Sequence, residues 1–282
     1  MIQLHPVHGD LAKFRRVWTK EFERLRTGEL SGVPSRYRSE QYRQHCISFA
    51  FYSLLLDGDE GECRRLLVEA ARSAENALHA PRSAAGHPLV AKEIQVDIEP
   101  GTLKTSLDST APPNVGYGEA RMSVRDYSAG LMTLWCFGSS VALRRAAEIP
   151  EGDYRSPGIV MDDGGWQSIR TYKDLAVGRE AEGLAGFRVF EAQLNVALKR
   201  ILDALSNLLE GTERSFRSAL VALLVDHEQR VSKAPADMSG LVCMPGMMLC
   251  RVALRRGIVV EDQNYLPLRF MPGHPANPAA VA

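Results

Sequence analysis

Apolar residues between positions 187 and 231 recur at alternating spacings of three and four, the period of an α-helix that buries one face. Gly211 interrupts this pattern, and Thr212 directly after it is a favoured N-cap residue. The pattern predicts two long helices joined by a tight turn, which we expect to pack antiparallel as a helical hairpin. The apolar positions are Phe187, Phe190, Leu194, Leu198, Ile201, Leu205, Leu208, Phe216, Leu220, Leu223, Leu224 and Val231.

Helical periodicity and end signals predict further helices along the rest of the chain. Asp59 with Glu62, and Ser123 with Asp126, have the spacing of a capping box, and Pro245 suits the first turn of a helix. The second half of one predicted helix, CISFAFYSLLL, is apolar on nearly every side, so we expect it in the middle of the bundle, packed on the hairpin. The predicted helices cover residues 10–30, 39–56 (capped by Ser39), 61–79, 123–147, 166–177 and 247–256.

A small β content is also predicted. Ile94, Val96 and Ile98 alternate with polar residues, which predicts a short strand at 93–98, and the β-branched residues 258–260 suggest another. Residues 101–117 are interpreted as a long loop. The sequence therefore predicts a mainly α fold, a multi-helix bundle of packed helical hairpins with one or two short β segments. We expect one domain at 1–271 and a disordered tail at 272–282.

Composition narrows the functional classes. The 282 residues contain 34 Lys and Arg against 34 Asp and Glu, so the zero net charge indicates neither nucleic-acid nor membrane binding. We find no secretory signal pattern and no apolar run long enough for a membrane span. Five scattered cysteines are typical of reduced, buried thiols in the cytoplasm.

The candidate catalytic and metal-binding residues are better explained by structural roles. His227 on an apolar helix is more often a buried structural histidine than a base, although an enzyme using His227 with a nearby carboxylate stays open. Other partial patterns lack the residues that complete a site, so we predict no catalytic residue, no metal and no cofactor. These patterns are His5 with His8, the calcium-loop-like Asp57, Asp59 and Glu62, the FGSS sequence at 137–140, Cys46 beside His45, and Cys243 with Cys250.

One segment is markedly acidic. Residues 148–163 contain five carboxylates against a single base, Arg155. A solvated connection explains such a segment, but a cluster of one sign also steers association with a basic partner, so we treat it as the candidate partner-binding site. The carboxylates are Glu148, Glu151, Asp153, Asp162 and Asp163.

Two stretches of the chain resemble the immunity protein 49 family of bacterial polymorphic-toxin immunity proteins. The first is SFAFYSLLLDGDEGECRRLLVEAARSAENAL, an apolar helix, a Gly-Asp turn and an Ala-rich helix. The second is MPGMMLCRVALRRGIVVEDQNYLPLRF, a helix ending in R-R-G followed by Y-L-P-L. The resemblance implies a cytoplasmic, mainly α-helical protein without catalysis, which binds and neutralises a cognate toxin encoded next to it.

The resemblance does not identify the toxin or its activity. If the toxin is a nuclease, its substrate site should be basic. The acidic segment could then bind in that site in place of the substrate phosphates. Two alternatives stay open: a stacked-helix scaffold that binds a peptide or protein in a groove, and the enzyme with a cryptic His227 site.

Overall fold

Helices form nearly all the regular structure of the described residues, which are 11–27, 35–79, 122–155, 161–233 and 238–277 of this computed structural model. The predicted fold class, a mainly α multi-helix bundle, is confirmed for this part of the chain. Consecutive helices pack on each other, most extensively α2 on α3 and α8 on α9. The helices are α1 Leu11–Thr27, α2 Ser35–Tyr52, α3 Glu60–His79, α4 Val124–Phe137, α5 Ser140–Ala147, α6 Asp163–Ala176, α7 Glu180–Val189, α8 Val196–Glu210, α9 Glu213–Lys233 and α10 Met244–Arg255.

The most buried helix is α4 rather than α2. Residues 130–137 of α4 are all buried, and the helix packs on α3, α5 and α10. Gly130 makes the approach to α3 possible, because a Cβ there would lie 3.2 Å from Leu78 Cδ2. The expectation that the 39–56 helix packs on the hairpin is wrong: α2 packs mainly on α3 and α1. Phe49 of α2 stacks on Phe22 of α1, with ring centroids 4.4 Å apart.

The turn between α2 and α3 follows the predicted end signals. A π-helical turn, Ser53–Asp57, continues α2, and Gly58 then reverses the chain with a φ of 68°. The Glu62 N–H donates to Asp59 Oδ1 at 2.8 Å, so Asp59 caps α3 as predicted. Ser39 is not the cap of α2, which begins at Ser35.

The helix predicted at 123–147 is two helices. Ser123 caps α4 as predicted, since its side chain accepts from the Asp126 N–H at 3.1 Å. Gly138 ends α4 in an extended conformation, and Ser139 caps α5 by accepting from the Ala142 N–H at 3.1 Å. The FGSS sequence is therefore a helix junction, neither a nucleophile elbow nor small residues on one packed helix face.

The helix predicted from Phe187 to Leu208 is also interrupted. Helix α7 ends at Val189, and α8 begins after Asn195, whose side chain accepts from the Leu198 N–H at 3.0 Å. The hairpin of α8 and α9 forms as predicted, with Gly211 ending α8. Thr212 and Ser215 cap α9 reciprocally, because each backbone N–H donates to the other hydroxyl, at 2.9 and 3.1 Å.

The strand predicted at 258–260 is wrong. These residues have no partner strand among the described residues, and two of their three carbonyl groups accept from side chains instead. Arg217 Nη2 donates to Val259 O at 2.8 Å, and His274 Nε2 to Val260 O at 2.8 Å. The β pairing that the structure does describe is an isolated bridge between Gln263 and Leu266. The strand predicted at 93–98 and the loop at 101–117 lie outside the described residues.

The first part of the predicted disordered tail is packed on the bundle. His274 is 3% exposed, and its Nδ1 accepts from the Ala276 N–H at 3.2 Å, which leaves Nε2 to carry the proton donated to Val260 O. Asn277 is also buried and donates to Met271 O at 3.0 Å. The proposed domain boundary at residue 271 thus falls within a packed segment, and residues 278–282 lie outside the described part.

Candidate functional site

The structure places the five carboxylates of the acidic segment at the ends of α5 and α6. Glu148 directly follows α5, Glu151 and Asp153 lie in the 3-10 turn Glu151–Asp153, and Asp162 and Asp163 begin α6. Lys173 in the last turn of α6 holds Ile149, so Glu148 lies towards that end of α6 and Asp162 and Asp163 lie at the other. We call the surface that the five carboxylates occupy along the packed helices α5 and α6 the acidic face. Residues 156–160 lie outside the described part.

Glu151 is held in an ion pair. Its two carboxylate oxygens accept from Arg170 Nε at 2.6 Å and Arg170 Nη2 at 3.0 Å, and Arg155 lies 3.6 Å from Oε2. The hydrogen bonds from Arg170 lower the pKa of Glu151 below its usual value. This bidentate pair fixes the 3-10 turn on α6, so Glu151 contributes little free negative charge.

Two more carboxylates have structural roles or contacts. Asp162 is the N-cap of α6, since its Oδ1 accepts from the Gly165 N–H at 2.6 Å. Asp153 makes contacts within the protein, and its backbone carbonyl accepts from the Met122 N–H at 2.9 Å. Glu148 and Asp163 are exposed, and neither has an ion pair within the described residues.

An aromatic and cationic layer lies beneath the acidic face. The rings of Tyr127 and Tyr154 stack at 3.8 Å, and Lys173 lies over both, 5.7 and 5.2 Å from their centroids. Lys173 Nζ donates to Ile149 O at 2.6 Å and to Tyr154 Oη at 3.1 Å. Burial lowers the pKa of Lys173, while the negative charge of Glu151 opposes that shift. Lys173 therefore anchors the chain after α5 to α6.

The acidic face is less negative than its sequence suggests. Arg170 and Lys173 come from α6, beyond the acidic segment, and place positive charge beside Glu151. Neither residue could be recognised from the sequence, because Glu151 and Arg170 are 19 positions apart, too far for a local pairing rule. What remains for a partner is a preorganised surface on which Glu148, Asp162 and Asp163 are exposed, and of these Asp162 is also the cap of α6.

The Glu151–Arg170 pair should make the protein sensitive to acid. Its stabilising effect is present above the usual carboxyl pKa of 4.5 and is lost as the pH falls through and below that value, because the pKa is lowered in the folded state. Urea unfolding of Glu151→Gln from about pH 6 to about pH 3 should show a shallower loss of stability than the unmodified chain. Arg170→Gln, which removes the pair from the other side, should flatten the curve in the same direction but less, because Arg155 and Lys173 stay close to Glu151. An unchanged curve for both variants would contradict the assignment.

The other candidate residues have contacts that hold the bundle together. His227 is buried, with Nε2 2.9 Å from Gly240 O and its ring edge-on to Tyr265 at 5.1 Å. Asp57 pairs with Arg15 at 2.5 Å, Asp59 caps α3, and Glu62 pairs with Arg65 at 2.6 Å. The described residues contain no group of three or more His, Cys, Asp or Glu side chains that could hold a metal. His5 and His8 lie outside these residues.

The cysteines are buried thiols. All five are free and buried. Burial raises the pKa of Cys46 to about 12 and that of Cys243 to about 11, so neither is a thiolate at neutral pH. His45 lies beside the rings of Trp18 and Phe22, and its pKa is lowered by burial.

In comparisons with known proteins, no family model, no curated protein and no solved structure matches the chain. Within the described ranges, no helix combines the length and apolar character that a membrane span requires.

Proposed function

We propose that this chain is a cytoplasmic immunity protein, which neutralises a cognate bacterial toxin by stoichiometric protein–protein binding. The proposal takes its class from the two stretches that resemble the immunity protein 49 family. Its main structural support is that these stretches, separated by more than half of the chain, are in contact through the end of the second stretch. Arg269 Nη1 donates to Glu60 Oε1 at 2.5 Å, and Arg64 Nη1 lies 3.4 Å from Arg269 O.

The acidic face is the proposed toxin-binding surface. Glu148 and Asp163 present charge to solvent, while Asp162, Glu151 and Lys173 fix the backbone that carries them. Such preorganisation lowers the entropy lost on binding. Exposed carboxylates attract a basic partner surface over a distance, and against a nuclease they would occupy the positions of substrate phosphates.

Reversing the charges of Glu148 and Asp163 should weaken toxin binding. Glu148→Lys with Asp163→Lys is the informative pair, because Asp162→Lys would also remove the cap of α6. We expect the dissociation constant for the toxin to rise by roughly tenfold or more, mainly through slower association that depends less on salt. Surface plasmon resonance at low and high salt separates the association and dissociation rates.

The matched control is Glu182→Lys with Glu191→Lys. It makes the same change in net charge at two exposed residues of the α7 region. Binding as tight in the Glu148/Asp163 variant as in this control would reject the acidic face as the contact. The function itself is tested by co-expressing the chain with a toxin encoded next to it, then measuring cell survival and co-purification. The absence of both rescue and a complex would reject the proposed function.

A further inference from the structure

A small cleft lies between α3 and the C-terminal segment, and none of its lining residues belongs to the acidic face. Its volume is about 190 Å³. Buried Leu67, Phe137 and Phe270 provide apolar lining, and Val68 at the cleft is 43% exposed. Arg64 also lines this space, which we call the C-terminal cleft.

Arg64 brings a positive charge to the cleft. Its guanidinium lies 5.2 Å from the centre of the Phe270 ring, and Nη1 donates to Asn277 Oδ1 at 2.5 Å. Its neighbour Arg65 pairs with Glu62 and Glu69, but Arg64 has no carboxylate in ion-pair distance in the part of the chain that the structure describes. Its contacts are instead to neutral oxygen atoms and to a ring.

A second cation lies further along the same helix. Arg72 follows Val68 by one turn of α3 and is exposed, and it also forms no ion pair with a described residue. The exposed Val68 is thus flanked by Arg64 and Arg72 on one side of α3. A ligand that matches this arrangement combines an apolar group with negative charge.

The size of the cleft indicates what kind of apolar group fits. Sites for cofactors and drug-sized ligands usually measure about 300–1,000 Å³, so this cleft is smaller than a typical small-molecule site. A single large side chain from a partner protein needs a smaller space than such a ligand, and side-chain anchors of this kind supply much of the energy of an interface.

We propose that the C-terminal cleft receives one large apolar side chain from a partner protein segment, with a carboxylate of the same segment pairing with Arg64 and Arg72. The proposal goes beyond the toxin-binding function and does not depend on it, because it rests on the cleft, on Arg64 in its lining and on the neighbouring exposed Arg72 alone.

Capped peptides test the proposal on the full chain. The probe is acetyl-Ala-Ala-Phe-Glu-Ala-Ala-amide, compared with one peptide that has Gln for Glu and one that has Ala for Phe. Titration should shift the methyl NMR signals of Leu67 and Val68 until they saturate. The Gln peptide should bind roughly tenfold more weakly, and the Ala peptide should show no saturable shift.

Three variants locate the contact. Arg64→Gln and Arg72→Gln should each reduce the preference for Glu over Gln, and Arg72→Gln keeps the test valid if the loss of Arg64 disturbs the fold. Arg200→Gln, an exposed cation on α8, is the control and should bind as the unmodified chain does. Shifts that are absent, or that spread evenly over the surface, would overturn the proposal.

Two further outcomes would also overturn it. Free N-acetylphenylalanine binding more tightly than the peptide would identify a site for small carboxylates instead of a protein segment. Binding that appears only in a chain shortened to end at Asn277 would mean that residues 278–282 are themselves the occupant.

Discussion

Glu40→Gln should lower the free energy of unfolding by about 3–5 kcal/mol, because it leaves the charge of Arg43 without a counter-ion in the protein interior. Both residues are buried. Arg43 Nε donates to Glu40 Oε2 at 2.8 Å, its Nη2 pairs with Oε1, and its Nη1 donates to Thr133 Oγ1 at 2.8 Å. The pair therefore joins α2 to the central helix α4. Urea unfolding at neutral pH, with an unchanged denaturant slope, gives the measurement.

Two controls separate the unpaired charge from a general effect of substitution. The double variant Glu40→Leu with Arg43→Met removes both charges and should be clearly more stable than Glu40→Gln, since neither is left buried alone. Arg230→Gln breaks the pair with Asp226, in which Arg230 is exposed, and should cost less than about 0.5 kcal/mol. A loss below about 1 kcal/mol for Glu40→Gln would mean that the Arg43 charge is not held in a buried pair.

The parts of the fold that depend on local sequence were predictable. Asp59, Ser123 and Thr212 each cap the helix that the sequence assigned to them. A cap acts over three residues, so its signal is complete within a short window. The stripe of apolar residues was also informative, since Phe187, Ile201 and Leu205 are all buried.

Helix interruptions were not predictable from periodicity alone. The apolar spacing continues through Gly138 and through residues 190–195, although both places separate two helices. At Gly138 a Cβ would lie 2.7 Å from Leu134 Cδ2, so the backbone there is set by a contact that only glycine permits. The prediction that α2 packs on the hairpin was wrong for a related reason. An apolar surface shows that a helix is buried, but it does not identify the neighbouring helix.

The amount of unpaired negative charge on the acidic face depends on contacts between residues that are distant in the sequence. The sequence shows five carboxylates together, but the pairing of Glu151 with Arg170 and the layer under Lys173 arise only after α5 packs on α6. The same holds for Arg64, whose partner Asn277 is 213 positions away. A charge count over a window therefore overestimates the free negative charge, and this is why the binding test uses Glu148 and Asp163.

Arg251→Met should lower the free energy of unfolding by about 3 kcal/mol, because Arg251 supplies donors to the buried end of α4. Its Nη1 donates to Leu134 O and Trp135 O, both at 2.9 Å, and its Nη2 to Ser140 Oγ at 3.3 Å. Burial lowers the pKa of Arg251 to about 10, so the group stays charged at neutral pH despite the cost of desolvation. A positive charge at a helix C-terminus is also favoured by the helix dipole.

Methionine retains much of the packing of Arg251 but supplies no donor, and the carbonyl of Trp135 stays buried, so the loss of hydrogen bonds should outweigh the relief of desolvation. The free energy of unfolding of Arg251→Lys should lie between those of Arg251→Met and the unmodified chain. One ammonium group cannot reproduce the fork of donors that reaches both carbonyls and Ser140. Ser140→Ala removes only the longest of the three contacts and should cost less than about 1 kcal/mol. Urea unfolding of the three variants orders these effects, and a methionine variant as stable as the unmodified chain would show that α4 does not need this donor.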